Sequence, residues 1–130
     1  MFKDAGIGAL CFIVRDPART ATFYRDVLGL ETQHFSEEEG GFVMARTGST
    51  MLLAFAGNDP AGRSPIVVFA LPDGGIEDYV DRLIAMGVPF VVPVSPAPDG
   101  GLTADFTDPD QHVFSLHQDP GLPRRRGKPL

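Results

Sequence analysis

Short apolar runs separated by turn residues fill most of the chain, and two segments between them have the spacing of an amphipathic helix. The first segment begins at Asp16, a favourable N-cap that is followed by Pro17, and it ends before Gly29. Its predicted apolar stripe consists of Ala21, Tyr24 and Leu28, flanked by Phe23 and Val27.

The second helical segment is clearer, because its apolar residues follow the i, i+3, i+4, i+7, i+8 pattern. Asp73 is its predicted N-cap and Gly87 its predicted end. Both helices are short, so each needs a sheet to lie on. The apolar stripe of the second helix consists of Ile76, Tyr79, Val80, Leu83 and Ile84.

The other apolar runs predict eight β-strands, and turn residues separate them at 37–41, 47–49, 57–64 and 108–110. The order strand-helix-strand-strand-strand therefore occurs twice, which predicts an α+β fold of two βαβββ modules. We expect one domain at 1–119. The predicted strands cover residues 7–14, 30–35, 41–46, 50–55, 65–71, 88–94, 102–106 and 111–118.

The two predicted modules divide this domain near the Gly- and Pro-rich linker. The first module spans about 5–57 and the second about 64–118. Residues 120–130 form a basic C-terminal tail, for which we expect a solvated conformation because it is short and rich in proline and charge.

Several motifs resemble those of one protein family. Residues 14–17 read Val-Arg-Asp-Pro, residues 23–30 read Phe-Tyr-Arg-Asp-Val-Leu-Gly-Leu, and residues 106–110 read Phe-Thr-Asp-Pro-Asp. Together with 66–73 and 87–90, they resemble the glyoxalase / bleomycin-resistance / extradiol dioxygenase superfamily, the vicinal-oxygen-chelate proteins. The resemblance covers nearly the whole chain. It implies that the two modules form a cupped, partly closed mixed sheet with the helices outside.

Metal-using members of that family bind an ion through His, Gln or Glu on four strands, and the resemblance assigns these positions here. They fall on Ala9, near Leu53, on Ile66 and on Ser115. Three hydrocarbon side chains and one hydroxyl are poor ligands for a divalent cation. We therefore expect no metal and no cofactor, as in the metal-free bleomycin-resistance branch of the family.

Other reactive groups are sparse. His112 and His117 are five residues apart on one predicted strand, so they point to opposite faces and cannot bind one ion together. His34 on another strand could pair with His117, but this pair would provide only two metal ligands. Cys11 has no acid or imidazole beside it in the sequence. A Ser115–His117 dyad would lack an evident oxyanion loop and an orienting acid.

Strand alternation selects the residues that would line the cavity implied by the resemblance. The predicted ligand-binding residues are Ala9, Cys11, Leu53, Phe55, Ile66, Val68, Ser115 and His117. This set predicts apolar walls, with a polar rim formed by Ser115, His117 and either His34 or Gln33, and the alternative is a filled core. The candidate stacking rings are Phe35, Phe42, Phe55, Phe90 and Phe106.

Charge and location narrow the class of ligand. Residues 1–119 hold 7 basic and 17 acidic side chains, a net charge of −10, against −6 for the whole chain. Such a surface repels nucleic acid and favours a cationic or neutral ligand. The apolar run 5–14 is too short to span a bilayer and is followed by Arg15 rather than a cleavage site, so we expect a cytoplasmic protein without membrane contact.

Three functions remain open from the sequence. The first is a metal-independent protein that sequesters an apolar or aromatic, cationic-to-neutral compound such as an antibiotic. The second is a metal-free lyase, isomerase or cyclase in which Asp105, His117 or Tyr24 acts as acid or base. The third is a structural dimer without a ligand. The resemblance also implies a homodimer.

Overall fold

A computed structural model of the chain describes residues 1–58, 64–107, 112–127 and 129–130. The predicted turn at 108–110 and most of the predicted linker lie outside these residues. The chain divides into two compact units: Gly8–Val67 forms one, and Met1–Ile7 together with Val68–Leu130 forms the other.

The first unit contains one βαβββ module. Strand β1 runs parallel to β4, which is antiparallel to β3, and β3 is antiparallel to β2, so that the strand order is β2-β3-β4-β1. Its elements are β1 (Ile7–Val14), α1 (Pro17–Thr22), a π-helical turn (Phe23–Val27), β2 (Glu31–His34), β3 (Phe42–Thr47) and β4 (Thr50–Ala56).

The second unit repeats this arrangement with the strand order β6-β7-β8-β5. Strand β7 is antiparallel to both of its neighbours. The matching orders confirm the prediction of an α+β fold built from two βαβββ modules. The elements are β5 (Ile66–Ala70), α2 (Ile76–Ala85), β6 (Phe90–Pro96), β7 (Leu102–Thr107) and β8 (Val113–Gln118).

Each helix covers one face of its own sheet, and alternation along the strands decides which side chains it buries. The first core consists of Ala21, Tyr24, Val43, Ala45 and Ala54. The second core consists of Leu71, Ile76, Tyr79, Leu83, Ala104 and Leu116. The opposite face, which we call the helix-free face, carries the alternate residues of each strand.

The first helix differs from the prediction in its second half. Asp16 is the N-cap, and its carboxylate accepts a hydrogen bond from the Arg19 N–H at 3.3 Å. A π-helical turn follows, in which the Leu28 N–H donates to the Phe23 carbonyl at 3.1 Å. Ala21 and Tyr24 are buried as predicted, but the rest of the predicted stripe is not, because a wider turn no longer keeps the 3.6-residue spacing. Leu28, Phe23 and Val27 are 47%, 49% and 66% exposed.

The second helix begins two residues later than predicted. Gly75, with φ of 80°, is the N-cap instead of Asp73. Ile84, assigned to the buried stripe, is 56% exposed. Asp73 has no part in the cap because other groups satisfy the first N–H groups of the helix.

The C-terminal tail supplies those groups: its backbone is bonded to the start of α2, while most of its side chains are exposed to solvent. Residues 119–127, which we call the C-terminal strap, lie against the start of α2. The Gly75 N–H donates to the Pro123 carbonyl at 2.7 Å, and the Glu77 N–H donates to the Arg124 carbonyl at 3.0 Å. Two of the N–H groups that a helix start leaves without intrahelical partners are thereby satisfied.

Gln118 connects the strap, α2 and β8. Its side chain is buried, with Oε1 accepting from the Ile76 N–H at 2.9 Å and Nε2 donating to the Leu122 carbonyl at 3.0 Å. A buried amide with both ends bonded fixes the relative positions of the three segments that it joins.

Candidate functional site

The helix-free face of the first sheet carries four of the predicted site residues. Cys11 lies directly beside Leu53 across the parallel β1–β4 pair, and Ile13 lies beside Phe55. Ala9 is buried, whereas Cys11, Leu53 and Phe55 are half-buried. Alternation thus brings Ala9, Cys11, Leu53 and Phe55 onto one apolar surface, as the sequence predicts.

Three aromatic rings extend this surface across the neighbouring strands. Phe42 of β3 stacks on Phe35 with ring centroids 4.6 Å apart, and on Phe55 with centroids 5.4 Å apart. Phe42 and Phe55 are opposite each other in the ladder, which keeps the rings on the same face. The row offers an aromatic surface to a flat apolar group.

A shallow groove borders the same face. It has a volume of about 110 Å³ and is lined by Glu31, Gln33, Met44, Arg46 and Met51. Gln33 therefore lies at a polar edge of the apolar surface. The groove is the size of a single small ring and is smaller than a typical drug pocket.

Polar side chains occupy the helix-free face of the second sheet. Ser115 is 7% exposed, and its Oγ lies 3.1 Å from the Thr103 Oγ1. The Thr103 hydroxyl also bonds with the Leu116 carbonyl at 3.0 Å. Asp105 is opposite Ser115 in the β7–β8 ladder and is half-buried on the same face. The helix-free face of the second sheet thus carries hydroxyls and a carboxylate, whereas the predicted site residues on the helix-free face of the first sheet are apolar.

His117 lies beside these groups and is held by carboxylates. Its Nε2 is 2.8 Å from Asp99 Oδ2, and its Nδ1 is 3.9 Å from Asp119 Oδ1. The Gly101 N–H donates to the other oxygen of Asp99 at 2.8 Å, which fixes the loop that carries this carboxylate. The two carboxylates can orient the imidazole.

Asp99, His117 and Asp119 could also hold a cation. One ligand atom from each lies within 4.8 Å of the others, and no second group of this kind occurs in the described parts of the chain. Carboxylate and imidazole suit Mn²⁺ or Zn²⁺. The group is separate from the four positions that the family resemblance assigns.

The remaining predicted site residues fall in different places. Ile66 and Val68 are half-buried on β5, where the boundary between the two units lies. Tyr24 is in the first core instead of on a helix-free face, and its burial raises the pKa of its hydroxyl. Because it is buried in the core, Tyr24 is a poor candidate for acid–base chemistry. His34 is exposed on β2, and His112 precedes β8.

The sequence did not identify the partners of His117 and Ser115. Asp99 is in the loop between β6 and β7, and Asp119 is the first residue of the strap, so neither follows a strand pattern. The β7–β8 register pairs Thr103 with His117. In the sequence, the signal available for Thr103 was the alternation along the predicted strand 102–106, which places it on the same face as Asp105. Two of the predicted stacking rings, Phe90 and Phe106, pack beside the second core.

Comparison with known proteins gives the family. The model of the Glyoxalase/Bleomycin resistance protein/Dioxygenase superfamily matches residues 6–116, so the chain belongs to this superfamily. A search of the curated protein sequences finds no significant match. No helix in the described residues is both long and apolar enough to cross a membrane.

Solved structures share the fold at low sequence identity. A hypothetical protein from Bacillus halodurans C-125 is 12% identical, with a TM-score of 0.73 and coverage of 93% of this chain and 99% of that one. Methylmalonyl-CoA epimerase from Mycobacterium tuberculosis is 15% identical, with a TM-score of 0.67 and coverage of 88% and 87%. A superfamily member from Vibrio splendidus 12B01 is 19% identical, with a TM-score of 0.62 and coverage of 88% and 99%.

Proposed function

We propose that this protein is a metal-independent small-molecule binding protein of the superfamily, which sequesters an apolar or aromatic, cationic-to-neutral compound such as an antibiotic. The row formed by Phe35, Phe42 and Phe55 carries this proposal. A cytoplasmic location and a homodimeric state are part of the same proposal.

The apolar surface supports a binding role. Half-buried Cys11, Leu53 and Phe55 add to the aromatic row on the helix-free face of the first sheet. Apolar walls with a few polar groups at the edge are the usual composition of small-molecule sites. Here Glu31 and Arg46 supply the edge, beside the groove.

Residue chemistry supports metal independence. The positions that the family resemblance assigns to ligands carry Ala9, Leu53, Ile66 and Ser115. The Ser115 hydroxyl is itself engaged with Thr103 and is buried. Sequestration needs neither a metal nor a nucleophile, so it is compatible with the lack of metal ligands at these four positions.

A fluorescent apolar probe tests the proposal. N-phenyl-1-naphthylamine is titrated into the native protein, Phe42→Ala and the matched control Phe23→Ala. We expect Phe42→Ala to weaken binding by about tenfold or more, because the middle ring of the stack is lost. Phe23 is 49% exposed on the π-helical turn, so Phe23→Ala should bind the probe like the native protein.

Matched naphthalene derivatives test the predicted charge preference. Compounds with an ammonium, a hydroxymethyl or a sulfonate substituent are compared at low salt, and the acidic body predicts the weakest binding for the sulfonate. Equal binding to native and Phe42→Ala protein, or no binding of any probe, would contradict the proposed site and favour a structural dimer. Light scattering of the native protein measures the proposed dimer directly.

A metal-free enzyme is the second candidate, and the His117–Asp99 pair favours it. An oriented imidazole on a face with Ser115 and Asp105 can accept a proton from a bound molecule. The test is incubation with metabolites in D₂O, with deuterium incorporation followed by mass spectrometry. Incorporation that His117→Gln abolishes would favour the enzyme, whereas probe binding without any exchange would favour sequestration.

A further inference from the structure

Opposite charges line the contact between the strap and α2. Arg124 Nη2 lies 2.8 Å from Glu77 Oε1. Arg125 Nη1 lies 3.1 Å from Asp78 Oδ1 and 2.8 Å from Asp81 Oδ2. The hydrogen bond to Asp81, reinforced by its charge, raises the pKa of the Arg125 guanidinium. Asp73, in the loop before α2, lies 3.7 Å from Arg126. Three consecutive arginines of the strap thus face four acidic side chains, one from this loop and three from the first two turns of α2.

The backbone of the strap is fitted closely to the turn before α2. A Cβ atom at Gly74 would lie 2.6 Å from the Pro123 carbonyl oxygen, and one at Gly75 would lie 2.5 Å from Arg126 Cγ. The Arg126 N–H donates to Asp78 Oδ2 at 2.7 Å. Such close approach defines one bound position for the strap, which nonspecific charge attraction would not do.

The contact also reaches β8. Gln118, the last residue of that strand, bonds to the Ile76 N–H and to the Leu122 carbonyl. His117 precedes it on the strand, and Asp119, the first residue of the strap, lies 3.9 Å from the Nδ1 atom of the imidazole. Movement of the strap would therefore change the surroundings of His117.

The strap lies beyond the segment that the family model matches, which ends at residue 116. Its charged groups are largely accessible, with the Arg125 side chain 55% exposed. Among the described residues, Arg126 Nε is the one buried side-chain polar atom without a hydrogen-bond partner. Exposed ion pairs are individually weak and are screened by salt.

We propose that the C-terminal strap is a latch held by charge. When it is closed, its carbonyls cap α2, and Gln118 fixes the end of β8 and the position of His117. When salt screens the arginines from Glu77, Asp78 and Asp81, the latch opens. The inference stands independently of what the protein binds.

Amide hydrogen exchange followed by NMR tests the latch. The Gly75 and Glu77 N–H groups report on it directly because they donate to strap carbonyls, and the Met86 N–H at the far end of α2 is an internal control. Exchange is measured for the native protein at low salt and at about 1 M salt, where the screening length is about 3 Å. Arg125→Gln is compared at low salt with the control Arg25→Gln, whose partner Asp26 is in the other unit.

We expect the Gly75 and Glu77 amides to exchange about tenfold faster in Arg125→Gln and in native protein at high salt, with Met86 unchanged. The Arg25→Gln protein should behave like the native protein. His117 ring resonances should shift in Arg125→Gln at low salt. Unchanged exchange at Gly75 and Glu77 under both conditions, or equal acceleration at Met86, would overturn the latch. An open strap with unshifted His117 resonances would overturn its coupling to β8.

Discussion

At the scale of single residues, burial of Tyr24 makes a prediction about alkaline pH. Its pKa is raised above 10.0 by desolvation, so the folded state holds the phenolic proton more tightly than the unfolded state does. The resulting stabilisation is complete below pH 10.0 and is lost as the pH rises through the higher folded pKa. We expect urea unfolding to show a steeper alkaline loss of stability for the native protein than for Tyr24→Phe.

The comparison with Tyr24→Phe separates this residue from the general effect of alkaline pH, because the substitution removes one titrating group and keeps the ring in the core. Stability is measured at about pH 9 and at successive values above the ordinary tyrosine pKa. Parallel loss of stability in the two proteins would contradict the assignment of a raised pKa to Tyr24.

Residue faces were largely predictable from the sequence. Alternation placed Cys11, Leu53 and Phe55 on one surface because a strand exposes every second side chain to the same side. The partners of His117 were not predictable in the same way. Asp99 reaches it from a loop and Asp119 from the strap, and neither segment has a periodicity that fixes where its side chains point.

At the scale of elements, helix termini were harder to predict than helix centres. Ile76, Tyr79 and Leu83 are buried as their spacing predicts. The N-cap was assigned to Asp73 because a carboxylate is a favourable local cap. The actual start depends on Gly75 and on carbonyls of residues more than forty positions away, which accept hydrogen bonds from the N–H groups at the helix start, and the local pattern does not reveal them. The π-helical turn in the first module is a similar case.

A pair of glycine substitutions separates backbone strain from packing at these termini. Gly75→Ala and Gly87→Ala both place a side chain at positive φ, of 80° and 85°. A Cβ at Gly87 meets open space, whereas one at Gly75 would displace Arg126. We expect Gly87→Ala to cost about 1 kcal/mol and Gly75→Ala about 2–4 kcal/mol of unfolding free energy.

Urea denaturation of the two variants at the same pH and salt measures this difference. Equal costs for the two substitutions would mean that the strap does not press on Gly75 in solution. A larger cost at Gly87 would contradict the packing described for this turn.

At the scale of the whole molecule, the repeated module was predictable because the element order recurs along the chain. The matching strand orders in the two units follow from that order. The position of the strap was not predictable, since three arginines among prolines have the composition of a solvated tail. What changes their behaviour is an acidic first turn of α2 that only the fold brings beside them.

The last prediction concerns the whole protein and divalent metal. Dialysis against EDTA should leave the melting temperature unchanged, because Ala9, Leu53 and Ile66 supply no ligand atoms at the positions that the family uses. Micromolar zinc should likewise not raise it, since only a ligand that binds the folded state stabilises it. Differential scanning fluorimetry measures both effects.

The zinc experiment is informative because the Asp99–His117–Asp119 group could hold a metal ion. Asp119→Asn replaces one carboxylate ligand with a neutral, weaker amide oxygen and leaves the His117–Asp99 contact of 2.8 Å in place. If zinc raised the melting temperature of the native protein and not that of Asp119→Asn, a metal would bind at this group and metal independence would fail. If zinc raised the melting temperature of both proteins equally, the ion would bind outside this group, and metal independence would fail because of that other site. An unchanged melting temperature in both proteins, together with probe binding in the absence of metal, is the combination that metal-independent binding requires.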